Sequence, residues 1–222
     1  MTPIARIRSP FPEKFGIPRQ SNIVPSLTAT VVFEPEFRNP DAIRGIEGFD
    51  YIWLIWQFSA NLETPWSPTV RPPRLGGNRR IGVFATRSSF RPNALALSSV
   101  RLVDVQPHTP EGPLLTVAGA DLLDGTPIFD IKPYLPYTDS HPDARSGFAP
   151  EPTPHPLSVE CPEELLAIIP PKSRSTLLEL LANDPRPSYH NDPERVYGMK
   201  FLSFEIQFKV LDSNTLSIIN IF

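Results

Sequence analysis

Residues 95–118 read LALSSVRLVDVQPHTPEGPLLTVA. The stretch holds two runs, LALSSVRLVDVQ (95–106) and the start of PLLTVAGADLL (113–123), each with partial apolar–polar alternation. A proline- and glycine-bearing turn separates them. Alternation at a period of two, with no i, i+3, i+4 stripe, predicts two strands rather than a helix. The same texture extends on the N-terminal side. LTATVVF (27–33) is short and β-branched, YIWLIWQF (51–58) is apolar on both faces as a buried strand would be, and RIGVFATR (80–87) is a further short strand closed by the SSFRPN turn. Strands follow one another with few helical intervals, and no strand–helix–strand rhythm is present. The fold class expected is mainly β, with a small antiparallel barrel or strongly curved sheet as its core, rather than a doubly wound sheet.

Composition agrees. The chain has 222 residues, 40% hydrophobic and 20% charged, as a globular protein should. Its 29 prolines are about twice the usual share and exclude a long helical bundle. The longest apolar run, 51–58, is far too short to span a bilayer, and no leader-like apolar segment follows the N-terminal methionine. One cysteine, Cys161, excludes an internal disulfide and a cysteine zinc site. A cytoplasmic protein is expected.

After residue 137 the texture changes. A proline-rich connection leads to two short amphipathic helices, CPEELLAII (161–169) and SRSTLLELLAND (173–184), parted by Pro170-Pro171. The run RVYGMKFLSFEIQFKV then alternates Phe204, Ile206, Phe208 and Val210 before a DSN turn and a last strand, TLSIINIF (215–222). The expected organisation is a β-barrel domain over 1–150 and a small α/β domain over 151–222.

Charge is polarised. Between Thr64 and Val103 stand seven arginines and no acid, leaving 14 basic against 24 acidic side chains elsewhere, a net of −10. A solubilising face normally uses lysine, whereas arginine alone suits planar, bidentate contacts to phosphate or carboxylate. Several chemistries are missing. There is no dinucleotide glycine fingerprint, no phosphate-binding loop ending in Gly-Lys-Ser/Thr and no Gly-x-Ser-x-Gly elbow. His108, His141, His155 and His190 lie in proline-rich loops without metal-ligand spacing, so no metal is expected. Polar residues cluster instead near strand ends: Pro18-Arg19-Gln20, Ser59-Ala60, the segment around Arg87 and Arg91, and Asp121 with Asp124 before a Gly-Thr-Pro turn.

The runs PRLGGNRRIGVFATRSSFRPN and DLLDGTPIFDIKPYLPY, with IPRQ upstream and DPRPSY near the C-terminus, resemble the TsaA-like family, the TrmO type of tRNA methyltransferase. The resemblance runs from about Ile4 to the DPRPSY segment. It implies a barrel that departs from the Rossmann methyltransferase fold, a smaller C-terminal domain and a homodimer. It also implies transfer of a methyl group from S-adenosylmethionine to the exocyclic amine (N6) of a threonylcarbamoyl-modified adenosine beside the tRNA anticodon. Carried over by resemblance, the cofactor positions are Pro18, Arg19, Gln20, Ser59, Ala60, Arg87, Leu97, Asp121, Leu122, Leu123 and Asp124. Many relatives carry His-Gln where this chain has Ser59-Ala60, so contact there is expected through the backbone.

These residue types suit that ligand. Arg19 or Arg87 would meet the methionine carboxylate, and Asp121 or Asp124 would accept from the ribose diol. The acceptor for the amine proton stays open among Asp124, the Tyr134 and Tyr137 hydroxyls and carbonyls of the KPYLPY loop. Arg71, Arg74, Arg79, Arg80 and Arg91 are the expected grip on the anticodon loop, with Trp66 and Phe90 interleaved and Phe84 expected in the core. Two other readings stay open at this level: a non-catalytic RNA-binding barrel, and an enzyme using the same cofactor on a small anionic metabolite. If five or six arginines of this segment neutralise phosphates, a plot of log binding constant against log salt in filter binding should slope at about −4. A slope near zero would remove the RNA assignment.

Overall fold

In the computed structural model, residues 1–61, 65–72, 75–149, 156–186 and 192–222 are described. The first half contains strands β1 (Ala5–Arg8), β2 (Thr28–Phe33), β3 (Tyr51–Gln57), β4 (Thr69–Val70), β5 (Ile81–Gly82), β6 (Leu95–Gln106), β7 (Leu114–Ala118) and β8 (Pro127–Pro133), followed by a single helical turn, α1 (Pro136–Asp139). Six of them close into a barrel in the order β1-β2-β7-β6-β3-β8. Every neighbouring pair is antiparallel, so the expected barrel is present.

The strands form where their side chains sort into two faces. Ile52, Leu54 and Trp56 of β3 point into the barrel, with Val31, Val100, Leu115, Val117 and Ile128 around them. Each such side chain contributes roughly 1.5–3 kcal/mol by leaving water. The outer face of β3 is different: Tyr51 is 36% exposed, and Trp53 and Ile55 are half-buried. The expectation of an apolar strand buried on both faces therefore fails on one side. That outer face is the floor of the cleft described below.

RIGVFATR does not continue as a strand. Only Ile81–Gly82 is extended, in a two-residue ladder with β4, and Val83–Ala85 turns as a 3-10 helix. Arg91 is the reason. Its Nη1 donates to the carbonyls of Val83 (3.1 Å) and Thr86 (2.6 Å), and the Thr86 hydroxyl also donates to Val83 (2.8 Å). The Val83 carbonyl also accepts from the Thr86 amide at 3.1 Å, so its acceptor capacity is taken up within the turn. Phe84 consequently stands 73% exposed, not in the core.

Strands β1 and β8 were not legible as strands. In β8 proline occupies the first and last positions, where a missing N–H does least harm, and this disguises the run as a turn.

The second half contains β9 (Ser158–Glu160), α2 (Glu163–Ile168), α3 (Pro171–Ala182), β10 (Tyr197–Phe201), β11 (Phe204–Val210) and β12 (Thr215–Ile221). Helix α3 opens on Pro171, whose lack of an N–H is harmless at a first helical position. Strands β10, β11 and β12 form an antiparallel meander, and β9 adds to β12 in parallel. Leu177, Leu180 and Leu181 cover one face of this sheet against Met199, Phe201 and Phe208. Phe11, Val24 and Leu27, from the segment between β1 and β2, are buried in the same core. The expected boundary near residue 150 lies outside the described residues.

Leu54→Ala, inside the barrel, should cost about 2–5 kcal/mol by urea denaturation. Val103→Ala, 45% exposed at the β6 bulge, should stay within about 0.5 kcal/mol.

Candidate cofactor cleft

Antiparallel closure sends the end of β1, the start of β2, the end of β3, the start of β6, the end of β7 and the start of β8 to one rim of the barrel. The cleft lies at that rim and over the adjoining outer face of β3. Its volume is about 690 Å³, within the range of small-molecule sites. One wall is Lys14, Ile17, Pro18, Arg19 and Gln20; the floor is Trp53, Ile55 and Trp56 with Leu95 to Ser98; Phe58, Ser59, Ala60, Thr86 and Arg87 face them, and Asp121 closes the deep end.

Asp121 is the chemically unusual group. Its Oδ1 accepts from the Ser98 hydroxyl at 2.6 Å, and Ser98 Oγ in turn accepts from Trp56 Nε1 at 2.9 Å. Ser98 is buried and Trp56 nearly so. Burial pushes the Asp121 carboxyl above the usual carboxylate range; the Ser98 hydrogen bond, the nearby amides of Asp121 and Ser21, and the Arg87 charge partly offset this. Arg87 donates to the Gln20 side-chain oxygen across the cleft. Arg19 Nη2 donates to the Arg186 carbonyl at 2.8 Å, and Lys14 Nζ to the Ala60 carbonyl at 3.2 Å. Two guanidinium groups, of Arg19 and Arg87, and one partly desolvated carboxylate therefore line the same cleft. That donor set fits a ligand bearing both a carboxylate and hydroxyl donors.

Backbone geometry holds the wall. Asn22 has φ +63°, its amide donates to Gly119 O at 2.8 Å, and its Nδ2 donates to Ser99 O at 3.0 Å. Gly119 has φ +77°, and a Cβ there would lie 2.5 Å from Asn22 Oδ1. Only glycine lets the turn after β7 meet the loop that carries Arg19 and Gln20.

Of the residues assigned by resemblance, Pro18, Arg19, Gln20, Ser59, Ala60, Arg87, Leu97, Asp121 and Leu123 line the cleft. Two do not. Leu122 is fully enclosed in the barrel core, and Asp124 is exposed, its Oδ1 accepting from the Ser9 amide at 2.9 Å. Among the open pairs, the acceptor facing the cleft is thus Asp121, while Arg19 and Arg87 both reach it. Tyr134 packs on Trp53 at 5.5 Å, beside the cleft, and Tyr137 is 86% exposed. Trp53 Nε1 and the Leu135 amide both donate to Asp139 Oδ2, at 2.8 and 2.9 Å, fixing the KPYLPY loop along the floor.

Arg71, Arg79 and Arg80 are exposed, whereas Arg91 is half-buried and occupied with the 83–86 turn. Arg74 lies outside the described residues. Among the described residues there is no group of three His, Cys, Asp or Glu able to hold a metal, and no helix long and apolar enough to cross a membrane. Trp53 and Ile55 escaped sequence reasoning, although alternation through 51–57 placed them on a common face. Nothing local marks Lys14.

The family profile of the tRNA-methyltransferase O N-terminal domain matches residues 6–140, and that of the corresponding C-terminal domain matches residues 154–222. The chain belongs to the tRNA-methyltransferase O family. It is 41% identical over 218 residues to a tRNA (adenine(37)-N6)-methyltransferase of Escherichia coli, covering 95% of this chain and 92% of that one. A Pseudomonas aeruginosa protein described as a putative S-adenosylmethionine-dependent methyltransferase is 42% identical over 214 residues, covering 93% and 90%. The crystal structure of TrmO from Pseudomonas aeruginosa superposes with a TM-score of 0.76 at 32% identity, covering 100% of this chain and 96% of that one. The barrel with its appended smaller sheet is thus the architecture of the family.

Because folding raises the Asp121 pKa, the native state binds that proton more tightly than the unfolded chain. Its contribution to stability therefore falls as pH rises from the ordinary carboxylate value through the raised one. Asp121→Asn should raise the melting temperature of the ligand-free protein at pH 7, and the gain should shrink in acid. An unchanged or lower melting temperature at pH 7 would contradict the assigned desolvation.

Proposed function

We propose that this protein transfers the methyl group of S-adenosylmethionine to N6 of adenosine 37 in tRNA, the activity named for its Escherichia coli relative, with the threonylcarbamoyl-modified adenosine as the preferred acceptor. The observation that carries this is the cleft: Arg19, Arg87 and the half-buried Asp121 meet at one rim, and the relatives matched over the whole length carry methyltransferase names.

The chain's own residues supply binding and placement. Arg19 and Arg87 would neutralise the carboxylate of the methionine end as bidentate donors. Asp121, partly desolvated, would accept from the ribose diol. Trp53 and Ile55 would support the apolar and aromatic parts on the outer face of β3. When bound, S-adenosylmethionine supplies an electrophilic methyl group on a sulfonium. The acceptor would be the adenine N6 amine, which this chain's residues would place beside that methyl group. Holding the two partners together replaces a bimolecular encounter by a placed one, the main contribution asked of such a site.

Arg71, Arg79 and Arg80, exposed around β4 and β5, would meet phosphates of the anticodon loop. Trp66, Phe84 and Phe90 are 52%, 73% and 41% exposed among them, and exposed rings interleaved with guanidinium groups suit splayed bases. The exposure of Phe84 favours RNA over a small metabolite, which needs no ring held out into solvent.

A methyl-transfer assay with labelled cofactor should modify tRNA carrying the threonylcarbamoyl group and leave tRNA lacking it largely unmodified. Equal labelling of both would remove that preference, and labelling of neither would remove the activity. Cofactor at ~100 times its Kd should stabilise the fold by ~2.7 kcal/mol. Arg87→Ala should abolish that shift. Arg79→Ala with Arg80→Ala should preserve it while reducing the salt slope of tRNA binding by about one to two units. Loss of the same property in both variants would contradict the division of roles.

A further inference from the structure

The segment 9–27 joins two barrel strands, yet its apolar side chains are buried in the other core. Phe11, Val24 and Leu27 are enclosed there, with Phe15, Ile17 and Ile23 packed against it. Polar contacts follow the same route. The Leu202 amide donates to Pro10 O at 2.7 Å, the Lys200 amide to Glu13 Oε1 at 3.2 Å, and the Thr176 hydroxyl to Ser26 O at 3.3 Å. Gly16 has φ +96°, and a Cβ there would fall 2.3 Å from Met199 Sδ, so the loop presses on β10 more closely than any side chain permits. Pro18, Arg19 and Gln20 lie between these anchors.

The second unit also reaches Arg19 directly. Arg19 Nη2 donates to the Arg186 carbonyl at 2.8 Å. Arg186 Nε donates to both carboxylate oxygens of Asp184 at 3.0 Å, and the Arg186 amide donates to Asp184 Oδ1 at 3.3 Å. This Arg186 side chain is only 13% exposed. Asp184 has φ +49°, in the left-handed region that commonly ends a helix, and its amide donates to Leu181 O at 3.0 Å just after α3.

We infer that the C-terminal unit is the positioning frame of the cofactor cleft: Asp184 holds Arg186, and the Arg186 carbonyl sets the direction of the Arg19 guanidinium. The inference rests on the proposed cofactor reading and assigns the C-terminal unit a part in it. A guanidinium has five N–H donors. One bond to Arg186 leaves the others for a carboxylate, and fixing the fork beforehand removes rotamer freedom that binding would otherwise have to remove. Asp184 and Arg186 are positioning residues; they touch no reacting atom.

The test is a double-mutant cycle on the full chain, read by calorimetric titration with S-adenosylmethionine. Asp184→Ala should weaken binding by about tenfold. Asp184→Asn, which keeps an acceptor and tolerates the backbone conformation, should stay within about threefold of wild type. In an Arg19→Ala background, Asp184→Ala should add less than about twofold, because the two act on one contact. Undiminished binding by Asp184→Ala, or single losses that multiply in the double variant, would overturn the coupling. Should Asp184→Ala not fold by circular dichroism, hydrogen exchange on the wild type decides. Cofactor must then slow exchange at 184–186 as well as at 19–20, and protection confined to 19–20 overturns the proposal. Wild-type protein that takes up no cofactor would defeat the underlying reading, and the coupling with it.

Discussion

Closing six strands into an antiparallel barrel forces alternate strand ends onto a common rim, whatever their distance along the chain. That constraint makes the site. Gln20, Ser59, Arg87 and Asp121 come from four separate connections, and none is near another in sequence. They meet because the register of β3 with β6 and β8, and of β7 with β2 and β6, brings those connections side by side. The barrel interior needs only apolar side chains of the right size, so the rim is free to carry polar groups.

The polar groups at the rim oppose stability, and that opposition gives the site its chemistry. A carboxylate at the deep end of the cleft, hydrogen-bonded to a buried serine, gives up hydration it could have kept on the surface. Arg87 offsets part of that loss, and a hydroxyl-bearing ligand would offset more. The same tension governs the outer face of β3. Trp53 and Ile55 stay half exposed on a strand rich enough in apolar residues to be buried on both faces. Covering them would remove the floor of the cleft.

The segment 9–27 ties the two units together. Its ends belong to barrel strands and its apolar side chains belong to the other core, so the wall bearing Arg19 cannot move independently of either. Arg91 plays a comparable part in the arginine-rich stretch. By gathering the carbonyls of Val83 and Thr86 it replaces a continuing strand with a turn, which turns Phe84 outward.

Strand β2, by its β-branched run, β6 and β7, by partial alternation, and β11, by the alternation of Phe204, Ile206, Phe208 and Val210, were legible, as were the helices α2 and α3 and the arginine-only basic segment. Each depends on propensity and period, which neighbours in sequence carry. Strands β1 and β8 were not legible, because a four-residue run and a proline-bounded run hold too little local signal. By itself, the sequence determined the mainly β class, the exclusions of common cofactor motifs and a motif set that names a family. Only the tertiary structure decided that Asp121 rather than Asp124 faces the cleft, that Phe84 is exposed, and that the loop bearing Arg19 packs on the C-terminal core. The reason is physical: which way a side chain at a turn points, and which core an apolar loop residue enters, depends on ring closure and on contacts between residues more than a hundred positions apart, such as Arg19 and Arg186.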